Sequence, residues 1–366
     1  MTAVASEIME ELLVERHDAA CHVVLNRSRA LNALSIAMKE RLANELPKLA
    51  KDAETYAVIL KSANQGAFCA GGDVKELISL ADNDLKAAQQ CLADEYRLNW
   101  LLECFFKPTV ALINGAVMGS GVGLVQYGTH IVAAEDYRFA MPETAIGFFP
   151  DVGMAHRLAR LPHSVGVYLA LTGRTIGRAD AYSLGLVTHC IDAESFSAIE
   201  DELADAQPID PVLDARHEVP GEGDLNPYLS TIASVFGKPN LEDIIAALAD
   251  TSTTRSEVAR EWCGQVAGEL SQKSPLALKI SLKHVRRAAQ QDLRQTLIAD
   301  YHLACRFLEA EDFREGVRAL LVDKTKDPRW QHGAVDEVTD ADVQTYFEHG
   351  DEAEFLLPTK EQTEFK

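Results

Sequence analysis

Short apolar runs alternate with longer amphipathic segments in the first half of the chain. Runs rich in Val, Ile and Leu at residues 21–27, 56–62 and 109–115 predict β-strands. Apolar residues at helical spacing predict helices that begin after Ser35, at residue 85 and after Gly121, the last one continuing through residues 122–134. Strands that alternate with helices are typical of β-α crossovers, so this pattern predicts an α/β fold.

The sequence changes character after about residue 190. Residues 206–227 contain four prolines and two glycines with little periodicity, which is typical of a linker or an exposed loop. Helical periodicity dominates from residue 240 onward, and the tail is acidic. The pattern therefore predicts three regions: a core at residues 10–200, a linker or loop region at 201–240, and a helical C-terminal region with an acidic tail at 241–366.

Composition and charge narrow the functional classes. The 366 residues carry a formal net charge of −21, which argues against a protein that mainly wraps nucleic acid or lies on an anionic membrane. The seven cysteines are scattered, without a CxxC pair, as expected for reduced thiols in the cytoplasm rather than for a disulfide framework or a zinc ribbon. The acidic N-terminus resembles no targeting signal, and no apolar stretch is long enough to span a bilayer. We therefore expect a soluble cytoplasmic protein.

Two glycine-rich turns are the first candidates for chemistry. Gly71 and Gly72 directly precede Asp73, a candidate helix N-cap, and a second turn runs from Gly119 through Ser120 into a predicted helix. Such turns are either tight strand-to-helix connections or, if they converge, backbone N–H donors for a carbonyl oxygen that becomes negatively charged. A dinucleotide site is only weakly indicated, because the third glycine of the pattern is one position early.

Two carboxylates lie eight residues apart in an apolar stretch. Glu143 and Asp151 occur within residues 139–158, among Phe, Ile and Met. In most proteins such carboxylates are solvated loop residues or helix caps. If both instead face a cleft, desolvation raises the pKa of each carboxyl and suits it for acid, base or nucleophilic catalysis.

Four motifs together resemble a known family. The chain contains, in order, NRSRALNALS, AFCAGGDV, KPTVALINGAVMGSGVGL and FAMPETAIGFFPDVG. Over residues 10–195 it resembles the crotonase (enoyl-CoA hydratase/isomerase) superfamily. The resemblance implies a crotonase-like spiral of ββα units and a bound acyl-CoA thioester. It further implies that the backbone N–H groups of Gly72 and Ser120 form the oxyanion hole, and that no Rossmann dinucleotide site is present.

Departures from the family pattern point to one branch of it. Hydratases of this family carry a second glutamate at the position of Gly123, so hydration is disfavoured here, although Glu143 matches the other hydratase glutamate. Three segments resemble the 3-hydroxyisobutyryl-CoA hydrolase branch, which acts in valine catabolism. They are PETAIGFFPDVG, DEYRLN with Glu95, and EGVRALLVDKTKDPRW. That branch usually has glycine in place of Ser120. A serine can serve if its backbone conformation is allowed, since the donor is a backbone N–H.

The resemblance implies specific roles for the candidate residues. Glu143 acts as nucleophile or general base, Asp151 orients substrate or water, and the oxyanion hole stabilises the developing charge. The substrate contacts Glu95, Ser120, Glu143 and Asp151. No metal or redox cofactor is implied, since CoA is part of the substrate. The expected partner is a small-molecule acyl-CoA, without nucleic acid or membrane, and the family permits a homo-oligomer. Two alternatives stay open: a lyase or isomerase acting on another acyl-CoA, and a non-catalytic protein that binds CoA esters.

Overall fold

Two β-sheets form the centre of the core region. In the computed structural model, residues 10–64, 66–250, 256–348, 350 and 352–363 are described. The strands are β1 (Leu12–His17), β2 (Ala20–Leu25), β3 (Ala57–Ser62), β4 (Ala67–Cys69), β5 (Thr109–Ile113), β6 (Ala116–Met118), β7 (His130–Ala133), β8 (Arg138–Ala140) and β9 (His189–Cys190).

The order of the strands follows a spiral. The larger sheet has the order β1-β2-β3-β5-β7-β9, in which β1 is antiparallel to β2 and the other neighbours are parallel. The smaller sheet has the order β4-β6-β8 and is entirely parallel. From β3 to β9, successive strands therefore alternate between the two sheets. This alternation, with helices as the crossovers, confirms the predicted α/β spiral of ββα units.

Helices surround the two sheets and make up most of the C-terminal half. They are α1 (Ile36–Lys51), α2 (Val74–Asn83), α3 (Leu85–Cys104), α4 (Ser120–Val125), α5 (Met154–Leu158), α6 (Val165–Thr172), α7 (Arg178–Ser183), α8 (Phe196–Ala204), α9 (Ile209–Asp214), α10 (Leu229–Phe236), α11 (Leu241–Ala249), α12 (Glu257–Leu270), α13 (Pro275–Ala288), α14 (Leu293–Glu309), α15 (Glu311–Val317) and α16 (Asp340–Thr345). The predicted N-caps are confirmed, because Ser35 accepts a hydrogen bond from the Met38 N–H and Asp73 accepts one from the Glu76 N–H.

The helix predicted over residues 122–134 is too long. Helix α4 ends at Val125, where the N–H of Gly128 donates to the Val125 carbonyl, and the following residues form strand β7. Ile131 and Val132 pair with strand β5 in the interior of the larger sheet. A short apolar run fits a buried strand as well as a buried helix, and here the available partner strand decides the outcome.

Part of the segment predicted as a linker or loop, residues 201–240, is helical, whereas residues 215–225 contain no helix. The segment contains the end of α8 together with α9 and α10. Val212 and Leu213 of α9 pack with Ile59 and Val110 on the outer face of the larger sheet. The prediction is wrong for these helical stretches for two reasons. Pro208 and Pro211 occupy the N-cap and the first turn of α9, where proline is tolerated, and tertiary burial stabilises segments that lack a long periodic pattern.

The C-terminal helices share one apolar core with the first half of the chain. The ring of Phe148 lies 5.2 Å from that of Phe307 on α14 and 4.6 Å from that of Phe313 on α15. Phe149 also stacks on Phe307, at 5.3 Å between ring centroids. The loop that follows Glu143 is therefore packed against the C-terminal region. None of the helices in the described residues combines the length and the apolar character that crossing a bilayer requires.

We expect that a truncated chain ending at residue 240 does not fold cooperatively. Removal of α13 to α15 exposes Phe148 and Phe149, and each large buried side chain contributes about 1.5–3 kcal/mol when it is buried. The measurement is a thermal unfolding curve followed by circular dichroism, with the full chain as the control. A sharp transition in the truncated chain would show that residues 10–240 form an independent domain.

Candidate active site

Three parallel strands end at the same edge of the smaller sheet. Strand β4 is followed by the turn that contains Gly72, β6 by the turn that contains Ser120, and β8 by Pro142 and Glu143. The carboxyl ends of neighbouring parallel strands lie side by side, which is where α/β proteins form ligand sites. The structure thus brings together three positions that are far apart in the sequence.

The two glycine turns are in direct contact. A Cβ atom on Gly72 would lie 2.9 Å from Ser120 Oγ, so the two backbones approach closely. Gly71 and Gly119 have φ angles of +114° and +48°, a region that favours glycine, whereas Ser120 begins helix α4 and needs no unusual backbone conformation. Within the described part of the chain, no protein acceptor takes the N–H of Gly72 or Ser120. Both groups are therefore available as donors to a ligand.

Glu143 lies beside the second turn. It starts a short 3₁₀ helix (Glu143–Ile146) and is only 8% exposed. Its Oε1 would be 2.7 Å from a Cβ on Gly119, and its Oε2 has no hydrogen-bond partner among the described residues. Burial raises the pKa of Glu143 from 4.5 to about 8, and the positive charge of Lys273 opposes this effect. A buried carboxyl with a free oxygen is suited to attack a carbon or to accept a proton.

Lys273 is a residue of the site that sequence reasoning missed. It precedes helix α13, and its Nζ donates a hydrogen bond to Thr144 Oγ1 at 3.0 Å. Burial lowers the pKa of Lys273 from 10.5 to about 8, which Glu269 and Glu143 oppose. No signal in the sequence connects Lys273 with Glu143, because the two lie 130 residues apart and belong to no shared motif.

Asp151 is held by a tyrosine from helix α3. The Tyr96 hydroxyl donates to Asp151 Oδ2 at 2.8 Å, and both side chains are buried. Burial, and then the nearby Glu95 and Glu143, raise the pKa of Asp151 well above its usual value, while the hydrogen bond from Tyr96 opposes the shift. The structure therefore brings Glu143 and Asp151 into one electrostatic cluster, and their catalytic roles stay a prediction.

The backbone after Asp151 is fixed from two sides. Val152 has a φ of +51°, which is strained for a β-branched residue. Its carbonyl accepts hydrogen bonds from Gln126 Nε2 at 2.7 Å and from the Tyr127 hydroxyl at 2.6 Å. These bonds compensate the strain and hold the backbone directly after Asp151 in place.

The C-terminal region supplies the second support for this turn. Asp300 on α14 accepts a hydrogen bond from the Gly153 N–H at 2.7 Å, and its other oxygen lies 2.6 Å from His284 Nε2 on α13. Both side chains are buried. The predicted C-terminal helices thus form part of the site, which the helical pattern alone did not indicate.

Glu95 lies next to Tyr96 on helix α3 and is buried. Its Oε2 pairs with Lys39 Nζ of helix α1 at 2.7 Å. The proximity of Glu95 also contributes to the raised pKa of Asp151. The structure therefore places Glu95 in the same cluster as Asp151, rather than on a solvated helix face.

Gly123 leaves no room for a larger side chain. A Cβ at this position would lie 2.9 Å from Val152 Cβ and 3.0 Å from Asn99 Nδ2, and the Asn99 amide donates to the Gly123 carbonyl at 3.0 Å. The position where the resemblance places a second glutamate in hydratases is therefore closed by packing.

Comparisons with known proteins show the family to which the chain is similar. A family model described as enoyl-CoA hydratase/isomerase matches residues 20–347. The chain is 36% identical to "3-hydroxyisobutyryl-CoA hydrolase, mitochondrial" of Bos taurus, over 92% of this chain and 88% of that protein. It is 35% identical to "3-hydroxyisobutyryl-CoA hydrolase 1" of Arabidopsis thaliana, over 98% and 97%. A crystal structure titled as a carnitinyl-CoA dehydratase from Mycobacterium thermoresistibile matches with a TM-score of 0.87 and 35% identity, over 93% and 97%.

We expect Glu143→Gln to stabilise the protein increasingly as the pH rises from about 4.5 to about 8. In this window the unfolded chain ionises Glu143 while the folded protein keeps it protonated, so the wild type loses stability that the variant keeps. The difference in unfolding free energy should grow by at most about 1.4 kcal/mol per pH unit. Urea unfolding at several pH values measures this difference in unfolding free energy. The control is Glu54→Gln, because the Glu54 side chain is exposed. A difference that does not change with pH would contradict the raised pKa of Glu143.

Proposed function

The chain belongs to the enoyl-CoA hydratase/isomerase family, and we propose that it hydrolyses a short 3-hydroxyacyl-CoA thioester, namely 3-hydroxyisobutyryl-CoA, to 3-hydroxyisobutyrate and CoA. One observation supports hydrolysis above all. Glu143 lies buried against the turn of Ser120, with one carboxyl oxygen unpartnered in the described chain, while Gly123 closes the position of a second hydratase carboxylate.

The proposed reaction uses the two turns as an oxyanion hole. The N–H groups of Gly72 and Ser120 bind the thioester carbonyl oxygen, and each such donor contributes about 3–4 kcal/mol to stabilisation of the transition state in related acyl transfers. Ionised Glu143 then follows one of two routes. It attacks the carbonyl carbon, the C–S bond breaks to release the CoA thiolate, and water hydrolyses the anhydride; or it removes a proton from water, which attacks directly.

The proposal gives the surrounding residues supporting roles. Asp151, held by Tyr96, orients the substrate or the attacking water. CoA enters as part of the substrate, so the proposal includes no metal and no redox cofactor. The names of the mammalian relatives include the word mitochondrial, and the cytoplasmic location therefore stays a prediction, as does a homo-oligomer.

One experiment separates the hydrolase from the alternatives. The purified protein is incubated with 3-hydroxyisobutyryl-CoA and, separately, with crotonyl-CoA, while free thiol and alkene absorbance are followed. Release of thiol from the first substrate without loss of alkene from the second supports the proposal. Rapid loss of the alkene would instead favour a hydratase. No change in either assay would favour a non-catalytic protein that binds CoA esters.

We expect Glu143→Gln to lower kcat by at least about two orders of magnitude while the fold survives, since a positioned base or nucleophile supplies an effect of about this size. Asp151→Asn should also be severely impaired, and the double variant should be little worse than Glu143→Gln, because the two residues act as a unit. Thiol release and the melting temperature are measured for each variant. Turnover near the wild-type value in Glu143→Gln would refute the mechanism.

We expect Gly123→Glu to create no useful hydratase and to destabilise the fold. The new side chain meets Val152 and Asn99 at contact distances that packed atoms do not tolerate, and overpacking typically costs about 1–3 kcal/mol or more. Thermal unfolding and alkene absorbance with crotonyl-CoA test this expectation, with Gly268→Glu on the open side of α12 as the control. Efficient hydration by a stable variant would show that the pocket around residue 123 adapts.

We expect Glu95→Ala to narrow the preference for the hydroxylated substrate. In the proposed site Glu95 accepts a hydrogen bond from the 3-hydroxyl, and a buried acceptor left unpaired discriminates against an analogue that lacks the hydroxyl. The ratio of kcat/KM for 3-hydroxyisobutyryl-CoA to that for isobutyryl-CoA should fall, mainly through the first value. An equal fall for both substrates would mean that Glu95 supports the fold instead.

A further inference from the structure

A buried lysine lies behind Glu95. Lys39 Nζ is 2.7 Å from Glu95 Oε2, and the two side chains are 13% and 7% exposed. The desolvation of two buried charges largely cancels their attraction, so an apolar pair of similar size would hold helices α1 and α3 together about as well. The stability of the fold therefore does not explain why a lysine occupies this position.

The charges around Lys39 show what its ammonium group does. Burial opposes protonation of Lys39, but the negative charge of Glu95 and, further away, of Asp151 outweighs burial and raises the pKa of Lys39. Asp151 has no lysine or arginine within ion-pair distance among the described residues, and its hydrogen bond comes from Tyr96. The ammonium group of Lys39 therefore contacts Glu95 directly and interacts with Asp151 only through a longer-range electrostatic attraction.

The pairing leaves one oxygen of Glu95 available. Lys39 takes Oε2, and no hydrogen bond to Oε1 from a protein group is found in the described ranges of the chain. Within the described residues, the bond from Lys39 is the one side-chain hydrogen bond of Glu95, so it sets the rotamer of this carboxylate.

We propose that Lys39 is a positioning residue for recognition of the substrate hydroxyl: its ammonium group binds Oε2 and holds the Glu95 side chain in one rotamer, so that Oε1 accepts the hydrogen bond of the 3-hydroxyl. The inference rests on the proposed function for the identity of the acyl group. Lys39 itself touches no reacting atom in this scheme, and its effect on the substrate passes entirely through Glu95.

The test compares Lys39→Met, which keeps length and removes charge, with Lys39→Arg, which keeps charge. Lys48→Met on the same helix is the control, because Lys48 pairs with Glu45 at the surface. For each variant, kcat and KM are measured with 3-hydroxyisobutyryl-CoA and isobutyryl-CoA. We expect Lys39→Met to reduce the preference for the hydroxylated substrate by about tenfold or more, the size typical of a lost buried hydrogen bond to a charged group. The loss should lie mainly in KM, with partial rescue in Lys39→Arg.

A second comparison isolates the route through Glu95. In a Glu95→Gln background, Lys39→Met should not change the substrate preference further, since the carboxylate that Lys39 positions is gone. A further fall of similar size in this background would overturn the proposal. Two other results for Lys39→Met would also overturn it. An equal fall in kcat/KM for both substrates would show that Lys39 has a structural role, and an unchanged substrate preference would show that it has no role in recognition.

Binding measurements separate this inference from the proposed function. Calorimetry with two non-hydrolysable CoA thioethers, one with the 3-hydroxyl and one without it, needs no turnover. If the wild type prefers the hydroxylated thioether and Lys39→Met does not lose that preference, the inference about Lys39 fails while the proposed function stands. If the wild type releases no CoA from either thioester and binds the two thioethers equally, the proposed function fails, and the inference fails with it.

Discussion

The parallel pairing of three short strands is the constraint on which the site depends. Strands β4, β6 and β8 lie side by side, so their carboxyl ends meet at one edge and carry the turns of Gly72, Ser120 and Glu143 into contact. None of these strands is longer than three residues. Their register is maintained by the larger sheet and by the helices that cross between the two sheets, so the geometry of the site is a property of the whole spiral.

The second organising feature is the burial of several carboxyl groups in one place. Glu143, Asp151 and Glu95 are all nearly inaccessible to solvent, and burial raises the pKa of Glu143 and that of Asp151. Each carboxyl group has a different neighbouring partner. Lys39 contacts Glu95, the charge of Lys273 acts on Glu143, and Asp151 accepts a hydrogen bond from the neutral Tyr96 hydroxyl. Carboxyl groups of the same chemical type thereby meet different partners, which is consistent with the different roles proposed for them.

The C-terminal half is part of the site rather than an addition to it. Asp300 and His284 fix the turn after Asp151, and Lys273 reaches Thr144 beside Glu143. The same helices cover the aromatic residues of that loop.

Packing within the first half restricts which side chain residue 123 can carry. Val152 and Asn99 occupy the space that a second carboxylate would need there. The strained Val152 therefore lies directly after Asp151 and also fills the space beside Gly123.

The sequence by itself determines the fold class, and it predicts candidate site residues that the structure places close together. Local motifs carry their own geometry: the glycine turns need residues that tolerate positive φ, and Ser35 and Asp73 cap the helices that follow them. Glu143 and Asp151 were recognisable because they belong to such a motif. Only the tertiary structure decided that residues 130–133 form a strand and that much of 201–240 is helical, because burial against a partner outweighs weak local preference. The same holds for Lys39, Lys273 and Asp300: their roles depend on distances between helices that no local pattern encodes.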